Sequence, residues 1–271
     1  MCYNIKEYIF FSNEELLGAA VEEESEKRED LVIGRNAVLE LLKTGREIDK
    51  LYVKRGDRVG SIKAIVAIAM SRGIPVIEVD SGRLDKITGG TNHQGVAVLT
   101  PVVGYASLED IFTRADTRSE KPFIVIADGI EDPHNLGALI RSAEGAGAHG
   151  VIIGKRHAVG LTGTVGKASA GAVQHIPIVK VTNIAQTIDE LKERGIWIFA
   201  AEPGGVPYYK ADMRGAAAFV FGSEGAGISR LVLEKSDFRV SIPMYGKVTS
   251  LNVSAAAAVI LCEAARQNRD M

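Results

Sequence analysis

The chain has 271 residues, of which 46% are hydrophobic and 24% are charged, and its net charge is −2. These values are ordinary for a globular protein with room for two domains, and no apolar run approaches the ~18 residues that a membrane-spanning helix needs. The two cysteines, Cys2 and Cys262, have no motif spacing and the first residues lack a signal-peptide pattern, so we expect no disulfide and no export, but a cytoplasmic protein.

The small net charge hides an uneven distribution along the chain. Residues 1–30 contain 3 Lys and Arg against 9 Asp and Glu, whereas residues 31–101 contain 11 against 7. Residues 102–120 contain 2 against 4, and residues 121–271 contain 16 against 14. The charge run VEEESEKRED cannot bury enough apolar surface to fold by itself, so we interpret residues 1–30 as an acidic tail or linker. The basic excess of the remainder permits contacts with phosphate but does not require them.

Residues 31–101 are predicted to form a small α/β domain. Apolar residues recur at helical spacing in residues 34–45 and 61–73, and each segment ends on a glycine. Three short runs are predicted strands, namely residues 50–55, 74–79 and 95–101. Residues 102–120 are predicted to be a connector with one short helix, residues 107–115, that Ser107 caps.

Residues 121–271 are predicted to form a second domain in which strands and helices alternate. Its short apolar runs, such as FIVIA and GVIIG, are typical of strands covered on both faces, which indicates a parallel sheet flanked by helices. The predicted strands are residues 123–129, 150–154, 176–181, 196–202, 216–222 and 238–244. The predicted helices are residues 135–147, 162–172, 184–195, 228–236 and 251–267.

Two nucleotide-binding motifs nearly occur, but their context argues against both. Residues 145–150, GAGAHG, match GxGxxG, yet they leave a helix and enter a strand, the reverse of the order in a dinucleotide-binding fold. Residues 160–167, GLTGTVGK, have one residue too many between the glycines of a phosphate-binding loop, and Ala168 replaces the Ser or Thr that binds Mg²⁺. The histidines lack the spacing of a metal site. We therefore predict no metal and neither of these nucleotide sites.

Three other segments carry polar residues and glycines where predicted strands end, which is the edge of an α/β sheet that binds ligands. In the first, a strand ends at Asp128, Pro133 breaks the chain, and Asn135 opens a helix that carries Arg141. Asn135 and Arg141 lie within the first two helical turns, so both are expected to face the carboxyl edge of the strand. By themselves, a helix-capping asparagine and a surface arginine are the simpler interpretation.

The second and third segments place glycines and small polar residues at two more strand ends. Residues 219–229, FVFGSEGAGIS, contain three glycines in six residues, which let the backbone approach a ligand and leave Glu224 on a tight turn. Residues 241–258 run from a strand through a loop to a helix start at residues 250–252, where free N–H groups can bind an anion. A turn and a capped helix would explain each segment alone, but the three in this order favour a ligand site.

The three segments resemble motifs one, two and three of the SpoU family of RNA ribose methyltransferases, which belong to the SPOUT class. The residues that carry the resemblance are NLGALIRSAEGAG (135–147), GSEGAGIS (222–229) and IPMYGKVTSLNVSAAAA (242–258). Residues 31–101, with TNHQGVAVL near their end, resemble the small ribosomal-protein-like RNA-binding domain that precedes the catalytic domain in this family. Within this family, the sequence is most similar to the bacterial branch that modifies a guanosine of large-subunit ribosomal RNA.

The resemblance implies a fold, a cofactor, partners and a set of site residues. The fold would be a parallel sheet with a C-terminal trefoil knot. The methyl donor would be S-adenosylmethionine (AdoMet) and the substrate would be RNA. The protein would be a homodimer with its site near the interface. The implied donor-binding residues are Gly222, Ile242 and Leu251, through their backbone. The implied catalytic residues are Arg141, Asn135, Glu224, Ser250 and Asn252.

The role of Arg141 and the nature of the substrate stay open at this point. Because a guanidinium stays charged at physiological pH, we favour a role for Arg141 in binding an RNA phosphate or stabilising a developing alkoxide over one as a general base. A tRNA 2′-O-methyltransferase and a catalytically silent RNA-binding protein are the alternatives, although every matching polar position holds the family residue type. An α/β-hydrolase would need a GxSxG elbow, which GSEGAG lacks.

Overall fold

The structure is a computed structural model that describes residues 30–56 and 60–269, and in it two α/β units are joined by a connector. The predicted acidic tail, residues 1–30, lies outside the described residues except for Asp30. No helix within the described ranges is long and apolar enough to cross a membrane.

The first unit is a four-stranded sheet with helices on both faces. Its strands are β1 (Leu31–Ile33), β2 (Lys50–Lys54), β3 (Val76–Val79) and β4 (Val96–Leu99), and its helices are α1 (Arg35–Lys43), α2 (Ser61–Ser71) and α3 (Ser81–Ile87). The strand order is β1–β4–β2–β3, with β4 antiparallel to both neighbours and β2 parallel to β3. The fully buried Leu51 and Val53 of β2 face α1 and α2, whereas Tyr52 between them faces α3, as the two-residue period of a strand requires.

The second unit is a six-stranded, fully parallel sheet. Its strands are β5 (Phe123–Asp128), β6 (Gly150–Gly154), β7 (Ile178–Val181), β8 (Trp197–Pro207), β9 (Ala217–Gly222) and β10 (Phe238–Ser241). Its helices are α4 (Leu108–Thr117), which lies within the connector, α5 (Pro133–Gly145), α6 (Gly163–Ala168), α7 (Ile184–Glu193), α8 (Arg230–Lys235) and α9 (Val253–Arg269). The strand order is β10–β8–β9–β5–β6–β7.

Helices cover both faces of the parallel sheet, so its central strands are mostly apolar. Val125 and Phe219 belong to the core that α5 and α9 cover, and their sequence neighbours Ile124 and Val220 belong to the core that α4, α7 and α8 cover. Each of these four side chains is at most 1% exposed. The carboxyl ends of all six strands therefore lie along one edge of the sheet, which is where the loops of the three motif segments begin.

The predicted fold class, an α/β protein with a parallel sheet behind a small α/β domain, is confirmed. Several element bounds differ from the sequence-based expectation: β8 extends to Pro207, and α6 ends at Ala168. Strand β1 and helix α3 were not predicted; β1 has three residues, and α3 has seven, too few to show a period. Helix α5 begins at Pro133 and not at Asn135, because the side chain of Asp132 accepts a hydrogen bond from the Asn135 backbone N–H at 2.8 Å and caps the helix.

Candidate active site

Three side chains from the three motif segments meet at the carboxyl edge of the sheet. The side-chain amide of Asn135 donates to Oε1 of Glu224 at 3.1 Å. The amide of Asn252 donates to Oδ1 of Asn135 at 2.9 Å and also to Oε1 of Glu224. These residues are up to 117 positions apart in the sequence, so the fold brings together three of the five residues that were predicted to be catalytic. We call Asn135, Glu224 and Asn252 the polar triad.

Helix capping fixes the direction of the amides in the polar triad. Oδ1 of Asn252 accepts hydrogen bonds from the backbone N–H of Ser254 at 2.9 Å and from its hydroxyl at 2.6 Å, so Asn252 caps α9. Its Nδ2 must therefore point away from the helix, toward Asn135 and Glu224. Because Asp132 caps α5, the Asn135 side chain is not used as a cap and can bridge the other two members.

A tight turn supports Glu224. Ser223 and Gly227 exchange two backbone hydrogen bonds of 3.1 and 3.0 Å, and the Gly227 backbone has a φ of +68°, a conformation that favours glycine. A Cβ on Gly222 would overlap backbone atoms of Gly227 and Ile228. The turn is also tied to the end of β5, because the Ser229 N–H donates to Oδ2 of Asp128 at 2.7 Å. Gly222 thus permits a close approach, as predicted, but the neighbour that approaches it is the backbone of the same turn.

A cavity of about 450 Å³ lies between this turn and the loop that follows β10. It is lined by all three predicted donor-binding residues, Gly222, Ile242 and Leu251, and by Ser250 of the predicted catalytic set. Apolar side chains form most of the remaining wall. We call this space the donor cavity. Its volume falls within the ~300–1,000 Å³ range of small-molecule and cofactor sites.

A second, larger cavity of about 890 Å³ was not predicted from the sequence. It lies on the other side of the Glu224 turn, beyond the carboxyl ends of β5, β6 and β7, and we call it the outer cavity. Asn135 and Glu224 line it, and Ser223, Glu224, Ala226, Gly227 and Val253 border both cavities. The loop after β6 contributes Arg156 and His157, and His157 has a φ of +51°, which is uncommon for a residue with a side chain. Within the polar triad, Glu224 therefore borders both cavities, and Asn135 borders the outer one.

Arg141 is separate from the polar triad within one chain. It is exposed on α5 and lines neither cavity, so the expectation that Asn135 and Arg141 face the same edge is wrong for the single chain. The reason is helical geometry: six residues at about 100° each turn the second side chain by about 120° from the first. Arg141 instead faces the solvent near the middle of the helix.

The loop after β10, which contributes Leu251 to the donor cavity, carries exposed apolar residues. Leu251 is 41% exposed, Val248 is 65% exposed and Tyr245 is 89% exposed. A hydrogen bond with Tyr209, itself 51% exposed, raises the pKa of Tyr245 above its usual value. No group of three or more His, Cys, Asp or Glu side chains among residues 30–56 and 60–269 has a geometry that could hold a metal ion.

Comparisons with known proteins identify the family. The SpoU rRNA Methylase family matches residues 122–262, and the RNA 2′-O ribose methyltransferase substrate-binding family matches residues 31–102. The chain is 44% identical over 242 residues to YacO of Bacillus subtilis (strain 168), a protein assigned to the TrmH family of tRNA/rRNA methyltransferases, with 89% of this chain and 97% of that protein covered. A Staphylococcus haemolyticus protein of the same description is 44% identical over 247 residues, covering 90% and 98%.

Solved structures agree with the sequence comparisons. The SpoU methyltransferase AviRb from Streptomyces viridochromogenes, in complex with the cofactor AdoMet, matches with a TM-score of 0.55 and 25% identity over 89% of this chain and 91% of that one. An AdoMet-bound rRNA methyltransferase from Sinorhizobium meliloti matches with a TM-score of 0.54 and 25% identity over 95% and 97%. The chain therefore belongs to the SpoU (TrmH) family and is an RNA methyltransferase, which confirms the family predicted from the sequence motifs.

Proposed function

We propose that this protein transfers the methyl group of AdoMet to a ribose 2′-hydroxyl of RNA, and that its substrate is a guanosine of large-subunit ribosomal RNA in the cytoplasm. The observation that carries the proposal is the position of Glu224, which borders both a cofactor-sized cavity and a larger one and accepts hydrogen bonds from the other two members of the polar triad. The description of the family that matches residues 31–102 supports the 2′-hydroxyl as acceptor. The choice of ribosomal RNA and guanosine rests on the motif resemblance.

The charge of the donor cavity fits AdoMet. Among its lining residues the ionisable side chains are Glu202 and Glu224, and no Lys or Arg is present in the lining. AdoMet carries a sulfonium, an ammonium and a carboxylate, so its net charge is positive and an acidic cavity attracts it. The backbone N–H and C=O groups of Gly222, Ile242 and Leu251 would hold its polar parts. AdoMet supplies an electrophilic methyl group, and its demethylated product has lost the sulfonium charge.

The polar triad is suited to orienting the acceptor hydroxyl. Asn135 and Asn252 both donate to Oε1 of Glu224, and we assign Oε2 to the hydrogen bond with the ribose 2′-hydroxyl. As the oxygen–carbon bond forms and the carbon–sulfur bond breaks, the hydroxyl proton must leave, and a carboxylate at this position can accept it. Ser250 and Asn252 would align donor and ribose. Holding two reactants in line can supply about 7–11 kcal/mol of the barrier, so positioning is the main contribution.

Homodimerisation explains two features that a single chain leaves without a role. The exposed Leu251 lines the donor cavity, the exposed Tyr245 and Val248 lie in the same loop, and the exposed Tyr209 is hydrogen-bonded to Tyr245. Exposed apolar patches of this kind mark interfaces. A second copy on this face would cover the cavity mouth. Arg141 from one subunit would then bind an RNA phosphate or stabilise the developing alkoxide at the site of the other. The trefoil knot stays a prediction of the family resemblance.

The experiment that tests this function is a map of ribose methylation in ribosomal RNA and tRNA from cells with and without the gene. The proposal expects one guanosine of large-subunit rRNA to lose its 2′-O-methyl group, and expression of the natural protein, but not an Asn252→Ala variant, to restore it. Loss at a tRNA position would support the alternative substrate, since the relatives are described as tRNA/rRNA methyltransferases. An unchanged map, with no AdoMet binding by calorimetry, would indicate a catalytically silent RNA-binding protein.

A further inference from the structure

We propose that Asp49 is a positioning residue that fixes the RNA-binding unit against the methyltransferase unit and thereby holds the loop of residues 155–162 at the rim of the outer cavity. The consequence for RNA methylation rests on the function proposed above. The structural part does not, because it concerns the free protein. Asp49 immediately precedes β2, outside the motifs that the sequence analysis used.

All three parts of the chain meet at the Asp49 carboxylate. Asp49 comes from the first unit, and its side chain is 0% exposed. Tyr105 of the connector donates its hydroxyl hydrogen to Oδ1 of Asp49 at 2.5 Å. Lys180 of β7, whose side chain is 13% exposed, forms a salt bridge with the same oxygen and lies 4.6 Å from the centre of the Tyr105 ring. Burial and the neighbouring Asp49 charge raise the pKa of Tyr105, so the phenol remains a donor.

The same cluster holds the loop between β6 and α6. The Leu161 N–H donates to the Tyr105 hydroxyl at 3.1 Å, and the Leu161 carbonyl accepts from the N–H of Val102 at 2.7 Å. Lys50, the neighbour of Asp49, donates to the carbonyl of Ala158 at 3.2 Å. Arg156 and His157 of this loop line the outer cavity. The RNA-binding unit and connector thus make direct contacts with the segment that borders the candidate site.

The loop lies so close to the carboxylate that a side chain at position 160 would force either the loop or Asp49 to shift. A Cβ on Gly160 would lie under 3.0 Å from the carboxyl carbon and both oxygens of Asp49. By contrast, a Cβ on Gly166, in α6 next to the same loop, would meet nothing closer than 3.6 Å, a methyl carbon of Val102. Gly160 has no positive φ, so its requirement is steric and comes from the other unit.

A buried charge pair of this kind is better suited to fixing an arrangement than to adding stability. Desolvating two charges offsets most of their attraction, and an apolar pair of similar volume is often as stable. Here Oδ2 of Asp49 is also buried without a hydrogen-bond partner in the described part of the chain, which adds a cost. Such a pair does, however, penalise every arrangement of the two units that separates Asp49 from Lys180. The RNA-binding unit is therefore placed before RNA arrives.

The test is hydrogen exchange of the loop amides in the full-length free protein. We expect Asp49→Asn and Lys180→Met each to speed exchange at residues 155–162 at least tenfold, with α9 unchanged. The double variant should be no faster than the single ones, because each already breaks the same contact. The matched control is Lys235→Met, which removes a salt bridge to Asp189 at 2.6 Å inside the methyltransferase unit and should leave the loop unchanged.

A second pair of variants tests the contact without removing a charge. Gly160→Ala should wedge the loop away from Asp49 and speed its exchange at least tenfold, whereas Gly166→Ala should not. If Asp49→Asn fails to fold, the comparison of Gly160→Ala with Gly166→Ala still tests whether the contact with Asp49 holds the loop. Loop exchange at the natural rate in Gly160→Ala would overturn the proposal, as would equal effects of Gly160→Ala and Gly166→Ala.

The functional consequence separates positioning from general damage. In Gly160→Ala the KM for RNA should rise at least fivefold, with the affinity for AdoMet unchanged, because the donor cavity is not part of the cluster. A fall in AdoMet affinity equal to the rise in KM would indicate a general defect and would contradict the proposal. If the natural protein methylates no RNA, the proposed function fails, while the exchange experiment still tests the role of Asp49.

Discussion

Gly222→Ala provides a sharp test of the donor cavity, because a single added methyl group has no room. The Cβ would lie 2.1 Å from the carbonyl carbon of Gly227 and 2.3 Å from the backbone nitrogen of Ile228. Gly222 ends β9, which pairs with β5 at Asp128, so the strand cannot give way. The turn that carries Glu224 must move instead.

The size of the effect follows from these distances. Ordinary van der Waals contact begins at about 3.4 Å, so the turn must move by more than about 1 Å, a displacement that can cost a site ~10²-fold in rate. Overpacking of this kind also costs about 1–3 kcal/mol of folding stability. We expect AdoMet affinity to fall by ~10–100-fold, since ~1.4 kcal/mol corresponds to each factor of ten, and the melting temperature to fall by a few degrees.

The matched control lies three residues away in the same turn. A Cβ on Gly225 would meet nothing within 4 Å, and its φ is not positive, so Gly225→Ala should leave affinity and stability nearly unchanged. Titration calorimetry with AdoMet and thermal melting of both variants make the comparison. Normal AdoMet binding by Gly222→Ala would refute the reasoning, because it would mean that the donor does not contact this turn or that the turn is free to move.

Three further changes test the remaining assignments. Arg141→Ala should fold and bind AdoMet normally but lose about 10²–10³-fold in single-turnover methylation at saturating RNA, with partial rescue by lysine; near-normal turnover would make Arg141 a surface charge. Glu224→Gln keeps the shape and removes the carboxylate, so the same assay should show a loss of at least ~10²-fold, and full activity would exclude Glu224 as the proton acceptor. Burial lowers the pKa of His149 below 6.5, and its Nδ1 accepts from the Phe123 N–H at 3.0 Å. Because the unfolded chain then binds the proton more tightly, the contribution of neutral His149 to the free energy of unfolding is complete above pH ~6.5 and is lost as the pH falls toward the folded pKa. Denaturant unfolding between pH 7 and 5 should therefore show a smaller pH dependence of this free energy in His149→Asn. An equal pH dependence in the natural protein and the variant would contradict this.

The sequence by itself determined the second unit and much of its candidate site. Apolar runs and helical spacing predicted its strands and helices, because strands of a sheet covered on both faces carry a continuous apolar pattern. The segments with polar residues follow the predicted ends of those strands, and parallel strands end at one edge of a sheet, where ligands bind. Asn135, Glu224 and Asn252 lie in the three segments that this argument selected, the family resemblance implied their catalytic role, and the structure joins them by hydrogen bonds.

Other features depend on contacts that leave no local pattern. The outer cavity is lined by segments from residue 128 to residue 253, and Asp49 meets Lys180 across 131 positions. Arg141 faces away from the polar triad because the helix capped by Asp132 fixes its angle around the axis. Periodicity records which face of an element is buried, but not which distant element covers it or which charge it meets there. Only the tertiary structure decided these features, because a side chain at a junction is selected by its neighbour in space rather than by its neighbours in sequence.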